Sequence, residues 1–415
     1  MKKIILTGFV LFSGLSAISQ TVEYMLTMPK PHTHYFEVEM KVTGWNKPVA
    51  EIKMPVWAPG SYLVREFAKN VDYFSATQNG TALKFLKTDK NTWTVTTQGA
   101  KEFTVKYNVY SNELSVRTSF IDDSHGFVSG TSVFMYVNGI RENAGTLKIV
   151  PHESFKNIST SLEKKEGTYT FPDYDILVDC PIEIGNHEIF YFEAAGVKHE
   201  VAMYGEGNYD VEELKSGMAR IVEEATKVWG ENPNKNYTFI VHNITNSSGG
   251  LEHLSSTTLQ VNRHSYSGSG LTRFYSLVAH EYFHLWNVKR LRPKALGPFD
   301  YDRENYTSML WFCEGFTSYY DELLLKRAGY YDESSYLRTL TSNFGSIENQ
   351  PGALVQSAAE SSHDAWIKGY RPNENSVNTT ISYYPKGSAI AALLDIEIIA
   401  ATKGTKKLDD LLKYM

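Results

Sequence analysis

Two cysteines, Cys180 and Cys313, are all that the 415 residues contain, too few for a disulfide framework. One bridge between them is conceivable in an oxidising compartment, although a small buried packing residue is the favoured reading of Cys313. Beyond the first 19 residues, no run approaches the roughly 18 uninterrupted apolar residues that a membrane-spanning helix needs. Basic stripes, low-complexity tracts and internal repeats are missing as well. With a formal net charge of −6, that lack argues against nucleic acid or an anionic membrane as partner. What remains is an ordinary globular composition, 42% hydrophobic, in a chain long enough for two or three domains.

The first 19 residues read differently. Lys2 and Lys3 precede an apolar run from Ile4 through Leu15, and Ala17 and Ser19 supply the small residues of a cleavage site. The expectation is a signal peptide cut before Gln20 and an exported protein, periplasmic or secreted, with no membrane anchor after cleavage. From Gln20 to about Tyr204 the pattern is mainly β. Phe36, Val38, Met40 and Val42 alternate with Glu37, Glu39 and Lys41; Phe103, Val105, Tyr107 and Val109 repeat the period, and Val133 to Val137 makes a shorter strand-like run. An antiparallel β domain over 20–204 is the reading. Within it, Trp57 beside the Pro59-Gly60 turn is a better candidate for a buried packing residue than for part of a sugar-binding cluster.

A composition shift follows Gly205-Glu206-Gly207. Val211, Leu214, Met218, Ile221, Val222, Ala225 and Trp229 recur at helical spacing, and Tyr237 to Val241 then reads as a strand. Residues 205–415 are expected to form a mainly helical second domain, so the whole chain is α+β.

The chemistry concentrates in that domain. His280-Glu281-Tyr282-Phe283-His284 lies in a stretch from Leu271 to Leu291 without Pro or Gly, expected to be helical. A helix turns about 100° per residue, so His280 and His284 share a face and offer two imidazoles to one Zn²⁺, one ion per chain. Glu281, one step round, reaches a metal-bound water without being a ligand itself. A catalytic zinc needs a third protein ligand and an open position. The metzincin arrangement is excluded, because Asn287 and Arg290 occupy the positions of its Gly and its third His. Glu304 and Glu314 compete instead. Glu304 sits in a polar stretch, whereas Glu314 lies in the apolar helical run Leu310–Leu323, where an unpaired carboxylate would be costly and a metal would supply its partner. Glu314 is favoured. Asp321, seven residues on, returns to the same helical face and could orient a ligand imidazole, with a solvated acid an equal alternative. Upstream, Gly249-Gly250-Leu251-Glu252-His253 combines glycines that permit close backbone approach with a lone acid, ahead of a strand from Ser255 to Val261.

These segments carry a resemblance. H-E-x-x-H followed by Trp311-x-x-Glu314-Gly315-Phe316-Thr317-x-Tyr319-Tyr320 resembles the gluzincin aminopeptidases. The longer string from His280 through Arg290 and on from Leu296 to Tyr301 is similar to the glycyl aminopeptidase family in particular. Pro55–Tyr62, Tyr174–Gly185 and the Gly-Gly-Leu-Glu-His form at 249–253 resemble the same family. The resemblance implies a thermolysin-like catalytic domain, a zinc-dependent aminopeptidase and a peptide substrate with a free N-terminus, Gly or Ala being preferred at its first position. It also implies that Gly249, Gly250, Leu251, Glu252 and His253 contact substrate, Glu252 binding the α-amino group. Tyr384, in Tyr384-Pro385-Lys386-Gly387, would stabilise the oxyanion, Tyr383 taking that role if the register slips by one. Members of the family commonly continue into further helices and a PDZ-like module that this sequence does not show. Two rivals stay open: a thermolysin-like endopeptidase, and a non-catalytic peptide-binding protein with a structural zinc site.

Overall fold

Alternating apolar and polar side chains build the first half into sheets. The computed structural model describes residues 20–245 and 247–415; the expected signal segment lies outside the described residues. Along Tyr35–Thr43 the side chains of Phe36, Val38, Met40 and Val42 are buried. The facing strand Glu102–Tyr110 sets Val109 opposite Phe36, Tyr107 opposite Val38 and Val105 opposite Met40, in antiparallel register. This pair sits inside an eight-stranded sheet, in which Thr21–Thr27 runs parallel to Gly145–Val150. Two four-stranded sheets complete the β region around one buried apolar cluster. The strand expected over Val133–Val137 is shorter: only Tyr136–Val137 pairs, because Gly130–Ser132 makes a turn of 3-10 helix that feeds the buried Val133, Phe134 and Met135 into the core.

A separate five-stranded sheet comes next, in the order Glu188–Ala194, Val197–Tyr204, Asn236–Ile244, Ser256–Asn262, Gly249–Glu252. Its first two strands fall inside the span expected to belong to the N-terminal domain. They pair onward instead, with Lys198 to Tyr204 running parallel to Asn236 to His242. A period of two reports that one face of a strand is buried, not which sheet buries it. The helix Val211–Trp229 covers this sheet. Asp210 caps it by accepting from the Glu213 N–H, and Gly230, at φ 94°, ends it in the left-handed conformation. Helices Gly268–Phe283, Leu310–Arg327 and Tyr383–Ala401 pack beyond it. The fold is α+β, an antiparallel β region followed by a largely helical one, and no helix among the described residues is long and apolar enough to cross a membrane.

Several contacts tie the halves together, two of them through deeply buried side chains. Trp57 is fully buried; its Nε1 donates to the Asp300 carbonyl at 2.8 Å and its ring meets Trp366 edge-on at 5.1 Å. Deeper still, Glu183 accepts from His125 Nδ1 at 2.7 Å and from His242 Nε2, on the neighbouring five-stranded sheet, at 2.9 Å. Burial alone would raise this carboxyl, but the two imidazoles hold it down to about 2. Its stabilisation is therefore complete above the ordinary value of 4.5 and is lost as pH falls through about 2. Removing one partner of such a buried group strands the others. Glu183→Ala is expected to destabilise the chain by about 3 kcal/mol, read as a lower melting temperature at pH 7; an unchanged melt would contradict the assignment.

Candidate metal and peptide site

The helix Gly268–Phe283 brings His280 and Glu281 to one side and stops just before His284. The expected continuation to Leu291 does not form. The His284 Nδ1–H is drawn to the Asn287 carbonyl at 2.7 Å, while Asn287 Nδ2 donates to the Phe312 and Cys313 carbonyls at 3.1 and 3.0 Å. These bonds fold the chain back and clamp it to Leu310–Arg327. On the other imidazole, the His280 Nδ1–H meets Asp321 Oδ2 at 2.8 Å. Both rings thus direct Nε2 inward.

There Glu314 Oε2 lies 3.5 Å from His280 Nε2 and 3.1 Å from His284 Nε2, and the two ring nitrogens are 3.2 Å apart. In a tetrahedral site with bonds of about 2.0–2.1 Å, ligand atoms stand roughly 3.3–3.4 Å from one another. The triangle matches that edge on all three sides. By contrast, the buried group His125, Glu183 and His242, whose candidate donor atoms also lie within 4.8 Å of one another, is closed by short bonds to two different carboxylate oxygens. Glu304 stays on an irregular segment between the helices.

The charge around the triangle also suits a cation. Burial pushes the Glu281 carboxyl up to about 7, Glu252 and Glu314 adding to the push and the imidazoles opposing it. Burial would lower His280, but the hydrogen bonds it donates to Asp321 and Glu314 raise it well above its ordinary value. Burial would raise Glu314, yet His284 and His280 hold it well below the usual carboxylate range. One oxygen of Glu281, Oε2, is buried without a partner. A divalent ion and a water satisfy this set, so the residues present fit a zinc site.

Gly249–Glu252 forms the outer edge of the five-stranded sheet and pairs on one side only, with Ser256–Asn262. Its free edge is the kind to which an extended peptide can add. Gly250 lies against the metal helix so closely that a Cβ there would overlap the Glu281 carboxylate. Glu252 is buried, its carboxylate within 4.8 Å of the ligand atoms of Glu281 and His284. Four of the five residues expected to contact substrate are divided between two cavities. Gly249 and Gly250 border the cavity that holds Glu281, whereas Leu251 and His253 border a second cavity between the two halves of the chain. The His253 side chain is turned away from the triangle, its Nδ1 donating to Asp179 Oδ1 at 3.1 Å. Asp179 also accepts from the Leu254 N–H and from Lys289 Nζ, both at 2.8 Å. It joins the β region to the residues following Glu252 and to those following the metal helix.

Tyr384 opens the helix Tyr383–Ala401 and borders the cavity with His280 and Glu281, its ring stacked on that of His280 at 6.2 Å. Burial, then the Glu314 charge, keeps its phenol protonated well above the ordinary range. Tyr383 is more deeply buried, stacked beside it at 4.8 Å. The helix crosses Leu310–Arg327 glycine on glycine: a Cβ on Gly315 would overlap Gly387, and one on Gly387 would overlap the Trp311 carbonyl. Cys180 and Cys313 are both buried and free, and burial pushes each thiol up. Asn287, Asp179 and Arg117, which borders the cavity from the β region, carry no spacing signal that would have marked them in the sequence.

Two imidazoles, a carboxylate and an adjacent buried acid beside a free sheet edge are the parts of a metallopeptidase. Residues 23–186 match the Peptidase M61 N-terminal domain, and residues 273–390 match the M61 glycyl aminopeptidase. An aminopeptidase N family protein from Idiomarina loihiensis is similar at 34% identity, over 95% of this chain and 69% of that one, with a TM-score of 0.91. The chain belongs to the M61 glycyl aminopeptidase family and is a zinc metallopeptidase of the aminopeptidase kind. An M1 zinc metallopeptidase variant from Deinococcus radiodurans, bound to a Tyr-Ser-Ala substrate, shares the fold at 14% identity, with a TM-score of 0.58 over 95% of this chain and 85% of that one. No match to a curated protein was found.

Proposed function

We propose that this metallopeptidase is exported and removes single residues from the free N-terminus of peptides, preferring Gly or Ala there, with one zinc ion held by His280, His284 and Glu314. The observation that carries the reading is the buried Glu252 carboxylate beside Glu281 at the end of the free strand. A peptide laid along that edge with its ammonium on Glu252 presents its first peptide bond to Glu281. Support for a small first residue comes from the family resemblance and from crowding: a Cβ on Gly60 would lie 2.6 Å from Glu252 Oε1, and Tyr370 Oη donates to the Gly60 carbonyl at 3.5 Å.

Zinc in this site supplies Lewis-acid polarisation of the scissile carbonyl and brings a water's pKa down to about 7. The chain does the rest. Glu281 takes the proton of the attacking water and returns it to the leaving amine. Tyr384, held protonated, donates its O–H to the oxyanion as the carbonyl carbon becomes tetrahedral. Asp321 and the Asn287 carbonyl hold the two imidazoles in the tautomer that leaves Nε2 free. Glu252 neutralises the substrate ammonium, and the main chain of Gly249–Leu251 aligns the peptide.

The test is hydrolysis of Gly- and Ala-headed chromogenic peptides, free and N-acetylated, with and without chelator. Cleavage of the free form alone, abolished by chelator and restored by zinc, is the expected result. Equal cleavage of the acetylated form would replace the aminopeptidase reading with an endopeptidase.

A further inference from the structure

Some half-buried cations of the described residues are paired with a carboxylate, although Arg65, Arg141 and Arg263 are not. Lys53 meets Asp302 at 2.6 Å, Lys289 meets Asp179 at 2.8 Å, and Arg327 meets Asp409 at 2.9 Å. Nor is Arg117 paired. It comes from the irregular segment between Glu102–Tyr110 and Phe120–Ile121 and reaches across to the catalytic cavity, which has a volume of about 690 Å³. Its Nη2 approaches only the Gly250 carbonyl, at 3.5 Å; its Nε is buried without a partner, and no acidic side chain of the described residues pairs with it. Arg65, another half-buried guanidinium, lies close enough that burial and then the Arg117 charge push it down from its usual value. Its own contact is Ser61 Oγ, at 3.0 Å. Glu113 acts on Arg65 from nearby, but neither guanidinium is paired directly with a carboxylate, and holding the two partly out of water side by side is unfavourable for the free protein. A ligand that brings the anion recovers that cost.

The position says which part of a peptide would bring it. Strand residues rise about 3.3 Å each, so Gly250 lies roughly 7 Å from Glu252 along the edge. Gly250 is also the residue that touches Glu281. A substrate with its ammonium at Glu252 therefore passes the scissile bond at Gly250, and its C-terminal remainder runs under Arg117. Arg273, exposed on the metal helix, borders the same cavity and adds positive potential there.

We infer that Arg117 is a specificity-determining residue that binds a substrate carboxylate on the leaving side of the scissile bond, either the C-terminal carboxylate of a short peptide or an acidic side chain. The inference rests on the aminopeptidase reading for its polarity, Glu252 at one end and Arg117 at the other. Where the terminal carboxylate is the ligand, selectivity for short, free peptides is the consequence, since the two ends of a di- or tripeptide then complement Glu252 and Arg117.

The experiment compares kcat/KM of the zinc-loaded chain on Ala-Ala-Ala, its C-terminal amide, and the amides of Ala-Asp-Ala and Ala-Ala-Asp. The free acid, or an Asp-containing amide, is expected to exceed the all-Ala amide about tenfold, mainly through KM and less so at high salt. In Arg117→Gln that ratio falls to about one, and Arg117→Lys keeps part of it. Preference for the free acid identifies the terminal carboxylate, and preference for an Asp amide identifies a side chain. Equal rates on all four peptides in the unaltered protein would overturn the inference, as would a ratio that survives in Arg117→Gln. Calorimetric binding of the four peptides to the Glu281→Gln chain separates the two claims. Tighter binding of the acid, or of an Asp-containing amide, without any turnover by the unaltered enzyme would sink the aminopeptidase reading and leave the carboxylate site standing; equal binding of all four peptides would sink the site itself.

Discussion

Glu281→Gln lowers kcat about 10³- to 10⁴-fold while zinc content stays at one per chain. The amide is isosteric and cannot take a proton, so the loss isolates the base from the metal. The case for it is local. Glu281 is buried beside the ligand triangle without belonging to it, its Oε2 lacks a partner, and burial has pushed its carboxyl up to about 7. A carboxyl near neutrality can take a proton from water and give it up again within one turnover. Near-normal activity with bound zinc would show that another group moves the proton.

The second large effect comes from a residue with no functional group. Gly250→Ala is expected to lower kcat about 10²-fold, with zinc content and melting temperature little changed. The added methyl would overlap the Glu281 carboxylate. That carboxylate is the end of a flexible side chain, so it swings aside and the fold survives. Gly250 is not at a positive φ, so backbone strain does not cloud the result. The displacement is of the order of 1 Å, which suffices to spoil proton transfer. Full activity in the variant would mean that the position of Glu281 is not critical. A collapsed melt would mean that the strand, rather than the acid, gives way.

How much of this was legible beforehand depended on whether the signal was local. His280, Glu281 and His284 are set by helical periodicity, and Glu314 stood out as an acid inside an apolar run; the fold brings all four together. Asp321 came from the same periodicity. The helix end at Phe283 was not legible, because it is made by Asn287 bonding to Phe312 and Cys313, some 25 residues on. Strands Glu188–Ala194 and Val197–Tyr204 fall inside the span read as mainly β, but the sheet they join is not legible there, since alternation is blind to the neighbour. The side-chain directions of Leu251 and His253 turn on which face of a four-residue strand meets Asp179. Arg117 and Asp179 become informative only once the two halves are docked.

The crossing at Gly315 and Gly387 has a consequence for anyone reshaping the pocket. One helix carries Glu314 and the other Tyr384, and main chain rests on main chain between them. Their spacing is therefore independent of rotamer choice, and libraries that vary cavity side chains leave it untouched. Chemistry and selectivity are separable here. On the aminopeptidase reading, room for a different first residue is to be sought at the Gly60 turn, where the β region leans on Glu252, and the crossing glycines are best held constant.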